Sequence, residues 1–320
     1  MMRLPAWFRQ DIPDESTFKI ARLFSEFRLH TVCQKARCPN TSRCFKDKKF
    51  TFMILGPTCS RNCGFCGVDK SKAASFSVDN DEPDRIARVA QILGLSYAVI
   101  TSVTRDDLPD GGASRFAETI ESIHALDKDI EIEVLIPDFQ GKISSLERVL
   151  KAGPAVVAHN IETVRRLYPE LRPWAGYQLS LNILSKIKEL SSHIYTKSSI
   201  ILGLGEAKEE VIATMEDLRE HSCDILTLGQ YLAPSVKHYP VKEFISIEQF
   251  QEYQDRGISM GFKAVLSGPK VRSSYQAQEI YKECFDCAQH PERAKPLCGV
   301  RSASPEHIEG RSESKDFLYV

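Results

Sequence analysis

Six of the ten cysteines in this chain of 320 residues lie between Cys33 and Cys66, in two triplets of different spacing. Cys33, Cys38 and Cys44 read C-x4-C-x5-C, and Cys59, Cys63 and Cys66 read C-x3-C-x2-C. Three thiolates are one short of the closed tetrahedron of a structural zinc site. They suffice for a four-iron, four-sulfur cube that keeps one iron open or takes a fourth ligand from elsewhere. A zinc site would show C-x2-C pairs, with a second pair at a distance. Two incomplete cysteine sets side by side therefore predict iron–sulfur chemistry.

Composition narrows the setting. Lys plus Arg number 42 against 43 Asp plus Glu, a balance that gives no reason to expect nucleic acid or an anionic membrane as partner. No apolar run approaches the length needed to span a bilayer. The opening MMRLPAWFRQDIP has two prolines and no apolar signal core, and little chain precedes Cys33 for a targeting segment. Without an export signal the thiols read as metal ligands rather than disulfide partners, and a cytoplasmic location is expected.

The elements that must position these cysteines are legible as alternating strands and helices. Short apolar runs at 51–56, 96–103, 129–136, 155–160, 198–204 and 224–228 predict strands buried on both faces, as in a parallel sheet. Amphipathic stretches at 82–93, 112–125, 146–152, 176–190 and 206–220 predict the intervening helices. Six strand–helix units predict an α/β fold, either a doubly wound open sheet or a barrel, and the polar residues crowding the strand ends favour a partial (βα)6 TIM-like barrel with its site at the C-terminal ends of the strands. Residues 1–50 form an N-terminal extension with the first triplet, 51–280 the barrel core, and 281–320 a polar, loosely ordered tail.

Cys59, Cys63 and Cys66 follow the first strand directly. C-x3-C-x2-C at that place resembles the radical S-adenosylmethionine superfamily. The resemblance implies that the three thiolates hold a [4Fe–4S] cluster whose open iron binds S-adenosyl-L-methionine, yielding a 5′-deoxyadenosyl radical. It places Phe65 near the adenine, Thr101 and Ser102 near the amino group, and the Gly203 and Gly205 turn (ILGLGE) near the adenosine. Glu133 and Asn160, read as strand-end residues, could meet the ribose or the methionyl end. Arg105, Asp106, Asp107 and Asp110 read as a solvated loop before a helix. His159 reads as a structural histidine, and Arg172 as a residue approaching the substrate side.

The second triplet, together with VCQKARCPNTSRC, TSVTRDDLPDGG, EVLIPDF, HNIETV, LTLGQYLAPS and GPKVRSSY, is very similar to the lipoyl synthase family. That resemblance implies an auxiliary [4Fe–4S] cluster on Cys33, Cys38 and Cys44, with a serine of the RSSY segment as fourth ligand: Ser274, or alternatively Ser273. It implies that this cluster is the sulfur donor, consumed as sulfur is inserted at carbons six and eight of an octanoyl chain with two S-adenosylmethionine molecules. The partners implied are octanoylated lipoyl carrier domains of 2-oxoacid dehydrogenase complexes or the glycine cleavage H protein, a low-potential ferredoxin or flavodoxin, and an iron–sulfur carrier. A biotin synthase-like enzyme would draw its donor-cluster ligands from the barrel strands, and a non-catalytic metal-binding module would cleave no S-adenosylmethionine. In the tail, Cys284, Cys287, His290 and Cys298 (C-x2-C-x2-H-x7-C) offer four soft ligands for a further metal.

Overall fold

The computed structural model describes residues 11–70 and 77–289, together with Pro5 and Phe8. All six expected strands form: β1 (Thr51–Ile54), β2 (Tyr97–Ser102), β3 (Glu131–Leu135), β4 (Val156–Ala158), β5 (Tyr195–Leu202) and β6 (Ile225–Gln230). A seventh, β7 (Ala264–Gly268), was left uncounted in the sequence reading and pairs in parallel with β6. The seven run parallel in chain order, and a two-residue strand, His30–Thr31, lies antiparallel on the free edge of β1. The sheet does not close, since β1 and β7 are not paired.

Buried β-branched and aliphatic residues fill the strands, as two covered faces require: Phe52, Ile54, Ile100, Ile132, Val134, Val157 and Leu226 are at most 1% exposed. The connecting helices include α1 (Glu15–Glu26), α2 (Val32–Lys35), α3 (Thr41–Lys46), α4 (Glu82–Leu93), α5 (Ala113–Leu126), α6 (Ile143–Lys151), α7 (Tyr168–Leu171), α8 (Tyr177–Leu190), α9 (Lys208–Glu220) and α10 (Ile247–Ser259). The 3.6-residue period sets their buried faces, as in α4, where Ile86, Val89 and Ala90 point inward.

The N-terminal extension is packed onto the sheet. Phe24 of α1, Phe45 of α3, Phe50 and Phe52 of β1 form one aromatic cluster, mostly edge-on, with paired centroids 4.9 to 6.4 Å apart. Each such ring contributes about 1.5–3 kcal/mol through burial. Phe45 follows Cys44 directly, so this cluster also anchors the first cysteine triplet.

At the other end of the chain, helix α11 (Ala277–Gln289) crosses the boundary drawn at 280/281. Its Ile280, Tyr281 and Cys284 are buried against the N-terminal ends of the strands, where Tyr281 packs on Tyr97 and Tyr195. Cys284 therefore serves as a core residue there, and Tyr195 donates its hydroxyl hydrogen to the Cys284 carbonyl. His290 and Cys298, and the Cys287 side chain, lie outside the described residues.

Candidate iron–sulfur active site

The loop carrying Cys59, Cys63 and Cys66 leaves the C-terminal end of β1 and is clamped from three directions. Arg61, between the first two cysteines, is 8% exposed and bonds both carboxylate oxygens of Asp106 and of Asp138, at 2.6–2.8 Å. The Gly64 N–H donates to the Leu171 carbonyl, and the Gly64 carbonyl accepts from the Tyr239 N–H. Lys70 Nζ donates to the Cys63 carbonyl. The charged stretch after β2 is therefore no solvated loop. Asp106 holds the cysteine loop, and Arg105 is buried and paired with Asp107. Burial pushes the Asp138 carboxyl up, but the Arg61 guanidinium outweighs it and the net shift is downward.

The first triplet lies in α2, α3 and the turn between them. The chain brings it against residues 270–275, more than 200 positions away. Asn40 Nδ2 donates to the Lys270 carbonyl at 2.6 Å. In that segment burial lowers the Arg272 guanidinium and raises the Tyr275 hydroxyl. Segment 270–275 crosses β6 at Gly229, where a Cβ would stand 2.0 Å from the Val271 carbonyl oxygen, so only glycine admits the crossing. The two cysteine segments also touch: a Cβ on Gly67 would lie 3.4 Å from the Ala36 carbonyl oxygen and 2.9 Å from Pro234 Cβ.

All six cysteines are free and partly buried. Burial, with neighbouring cysteines adding to it, pushes the thiols of Cys33, Cys44 and Cys66 up to about 12. Thiols in such pockets stay protonated alone and become thiolates with a metal as counter-charge. Among the described residues, no three His, Cys, Asp or Glu side chains converge on one ion's position. Ligands of a cube each hold a different iron and need not converge. The residues present thus fit a cluster on each triplet.

Of the RSSY serines, Ser273 is engaged. Its hydroxyl donates to Asn160 Oδ1 at 2.9 Å, while Asn160 Nδ2 donates to Glu162. Arg172 Nη1 in turn donates to the Asn160 and Ile161 carbonyls and to the Tyr168 hydroxyl oxygen. Glu162 is a residue that sequence reading passed over. It is a non-glycine with φ +67°, held by a bridge to Ile200, and burial raises its carboxyl. Its signal in the sequence was a carboxylate just past the end of an apolar run.

Other expected residues divide. Thr101 Oγ1 already donates to the Leu135 carbonyl, whereas Ser102 Oγ, His159 Nε2 and Arg172 Nε are buried polar atoms with no partner among the described residues. Ser102 and His159 stand at strand C-termini, where unpaired buried atoms are expected if a polar ligand completes them. His159 Nδ1 bonds the Ile136 carbonyl, and burial, reinforced by Arg172, lowers its imidazole to about 4, leaving it neutral. Phe65 is partly buried in the cysteine loop against the core.

Glu133 requires correction. It stands mid-strand rather than at a strand end, 1% exposed, gripped by Lys197 Nζ at 2.8 and 3.0 Å and by the Tyr97 hydroxyl. It neutralises a buried lysine inside the barrel. Gly203 has φ +94°, and the space of a side chain there is taken by Gln230 Nε2 and the Glu243 carbonyl, at 2.3 and 2.4 Å from an added Cβ. The close approach at Gly203 is thus to the chain itself. Gly205 packs on Lys242, and the Glu206 carboxylate closes the turn on the N–H groups of Gly203 and Leu204.

The family model described as the radical SAM superfamily matches residues 53–218. Lipoyl synthase of Caldicellulosiruptor bescii is 51% identical over 278 residues, 87% of this chain and 95% of that protein. Lipoyl synthase of Aquifex aeolicus is 54% identical over 262 residues, 82% of this chain and 94% of that one. The chain belongs to the lipoyl synthase family. As a lipoyl synthase family member it is a radical SAM sulfur-inserting enzyme, with [4Fe–4S] clusters and S-adenosylmethionine as cofactors and a lipoyl carrier protein as substrate. Methylornithine synthase matches at TM-score 0.51 and 14% identity over 85% of this chain and 77% of its own. HydG, a hydrogenase maturase, matches at TM-score 0.53 and 15% identity over 86% and 61%. These two establish the shared fold alone.

Proposed function

We propose that Cys59, Cys63 and Cys66 hold the cluster that binds S-adenosylmethionine, and that Cys33, Cys38, Cys44 and Ser274 hold the auxiliary cluster. The observation that carries this reading is the meeting of the first triplet with segment 270–275, next to the second triplet. Ser273 is hydrogen-bonded to Asn160, which supports Ser274 as the serine ligand. A serine oxygen is a hard ligand, more weakly held on iron than thiolate, and suits a cluster that must come apart. Phe65, Thr101, Ser102, Asn160, Gly203 and Gly205 surround S-adenosylmethionine. Ser102 and Arg172 supply unpaired polar atoms for its charged end, and Thr101 and the two glycines act through backbone position.

When bound, the two groups supply a hydrogen-abstracting radical and the inorganic sulfur inserted at carbons six and eight of a protein-bound octanoyl-lysine, at the expense of two S-adenosylmethionine molecules. The chain's own part is to hold donor and acceptor carbon within about 3–3.5 Å and to exclude water. The carriers are lipoyl domains of 2-oxoacid dehydrogenase complexes or the glycine cleavage H protein. The electron donor is a ferredoxin or flavodoxin, an iron–sulfur carrier restores the auxiliary cluster, and the enzyme works in the cytoplasm. No helix among the described residues is long and apolar enough to cross a membrane.

Mass spectrometry of an octanoylated lipoyl domain, after anaerobic reduction with S-adenosylmethionine, is expected to show a gain of two sulfur atoms. The reconstituted chain is expected to carry about eight irons, two cubes' worth. A chain with one cube, or sulfur insertion surviving Cys38→Ala, would sink the reading.

A further inference from the structure

A cleft of about 160 Å³ opens at the N-terminal face of the sheet, the face opposite the Cys59–Cys66 loop. Its walls are Lys48 and Lys49 before β1, Gly94 to Tyr97 entering β2, and Ala277 with Gln278 at the start of α11. Ser274 lines it, and none of the six cysteines does. Cys44 is nonetheless adjacent, since its carbonyl accepts from the Lys49 N–H at 2.7 Å. One hydrogen bond spans the cleft, from Gln278 Nε2 to Ser96 Oγ at 2.7 Å, and Lys49 pairs with Glu279 beside it. Asp47, the two lysines, Ser96, Ser274 and Gln278 share the lining with Phe50, Leu95 and Val99, so water and small ions can enter along its polar part.

From this geometry we propose that the cleft is a rear portal to the auxiliary site. Iron ions, sulfide and small chelators pass through it between solvent and the cluster held by Cys33, Cys38, Cys44 and Ser274. In a parallel barrel the two ends of the strands are separate faces. The carrier must bring its acyl-lysine to the C-terminal face, where the S-adenosylmethionine cysteines lie. The portal lies on the other face, so the constituents of the auxiliary cluster can be exchanged while the carrier covers the mouth. No bond chemistry is added: the passage moves ions, and the cysteines bind them as proposed above. This inference rests on the assignment of the auxiliary cluster made under Proposed function.

The test uses the full chain loaded with Mössbauer-active iron, so that each cluster is followed by its own spectral component, and 2,2′-bipyridine as the chelator. Saturating octanoylated lipoyl domain is expected to leave the loss of auxiliary iron unslowed. Ser96→Trp, which fills the cleft, is expected to slow that loss several-fold, and to slow equally the rebuilding from equal parts ferrous and ferric iron with sulfide, with the other cluster unaffected. Gln278→Ala, which removes the spanning bond, is expected to hasten it and remains informative if the tryptophan variant does not fold. The portal is refuted if the carrier blocks auxiliary loss, or if either cleft variant keeps the parent's rate. A parent chain that takes up only one cluster instead refutes the auxiliary assignment itself, a result distinguishable from the first two.

Discussion

Asn160 does more than end a strand. Its side-chain oxygen receives Ser273 and its nitrogen reaches Glu162, so one amide ties the barrel to the RSSY segment next to Ser274. A buried polar group left unpaired costs about 1–3 kcal/mol. Asn160→Leu and Ser273→Ala are each expected to lower unfolding free energy by about that amount. The double variant should lose less than the sum, because both remove the same bond. Denaturant titration checks the energies. Iron analysis after gel filtration is expected to show that both variants retain less auxiliary iron, with the Cys59–Cys66 iron intact. Full additivity with unchanged iron would count against the tie. The same scale explains why Glu133 was misread: a glutamate in an apolar run gives no sign that Lys197 faces it across two strands. A buried ion pair of this kind is costly to break from one side only.

At the scale of elements, α3 and α1 are fastened to β1 by rings. Phe45→Ala removes a fully buried ring beside Cys44 and is expected to cost about 3–5 kcal/mol, read by thermal or chemical unfolding. It should also weaken the hold on auxiliary iron, since α3 then loses its anchor while Cys33, Cys38 and Cys44 remain. A loss of stability with auxiliary iron fully retained would show that the cysteines fix α3 by themselves. Strand placement was legible because continuous apolar runs have few other uses in a chain with this alternation. The strand β7 was harder to read: its run, AVLSG, is short and ends in serine and glycine, and pairing with β6 is what makes it a strand. Helix α11 runs across the boundary at 281 for a related reason. The polar composition after Ala288 outweighed the buried stripe of Ile280, Tyr281 and Cys284, whose partners lie on strands far away in sequence.

For the whole molecule, the open edge of the barrel matters most. The gap between β1 and β7 is flanked by the edge strand that leads into the N-terminal cysteines and by segment 270–275, which follows β7. Below, Asp224 ties β5, α8 and the approach to β7, accepting from the Thr196 N–H at 3.0 Å and from Lys188 and Lys263 at 2.5 and 3.2 Å. Burial pushes its carboxyl up, but Lys188 and its other donors prevail and hold it below the usual range. A carboxyl lowered in the folded state stabilises above its unfolded value of about 3.9, and that stability is lost as pH falls through the lower folded value. Asp224→Asn is therefore expected to flatten the acid limb of global stability below about pH 4, measured by denaturant titration at stepped pH. An unchanged limb would assign the acid sensitivity elsewhere. What the sequence determined by itself was local: the cysteine spacings, the order of strands and helices, and the family resemblance those blocks carry. Spacing and periodicity are properties of neighbours along the chain, so they can be read without folding it. Only the tertiary structure decided that Ser273 is bonded to Asn160, that Asp106 and Asp138 clamp Arg61, that Glu133 is paired with Lys197, and that Ser274 lines a cleft on the N-terminal face. Each of these is a pairing between distant positions, settled by how strands are laid side by side and where the barrel is left open.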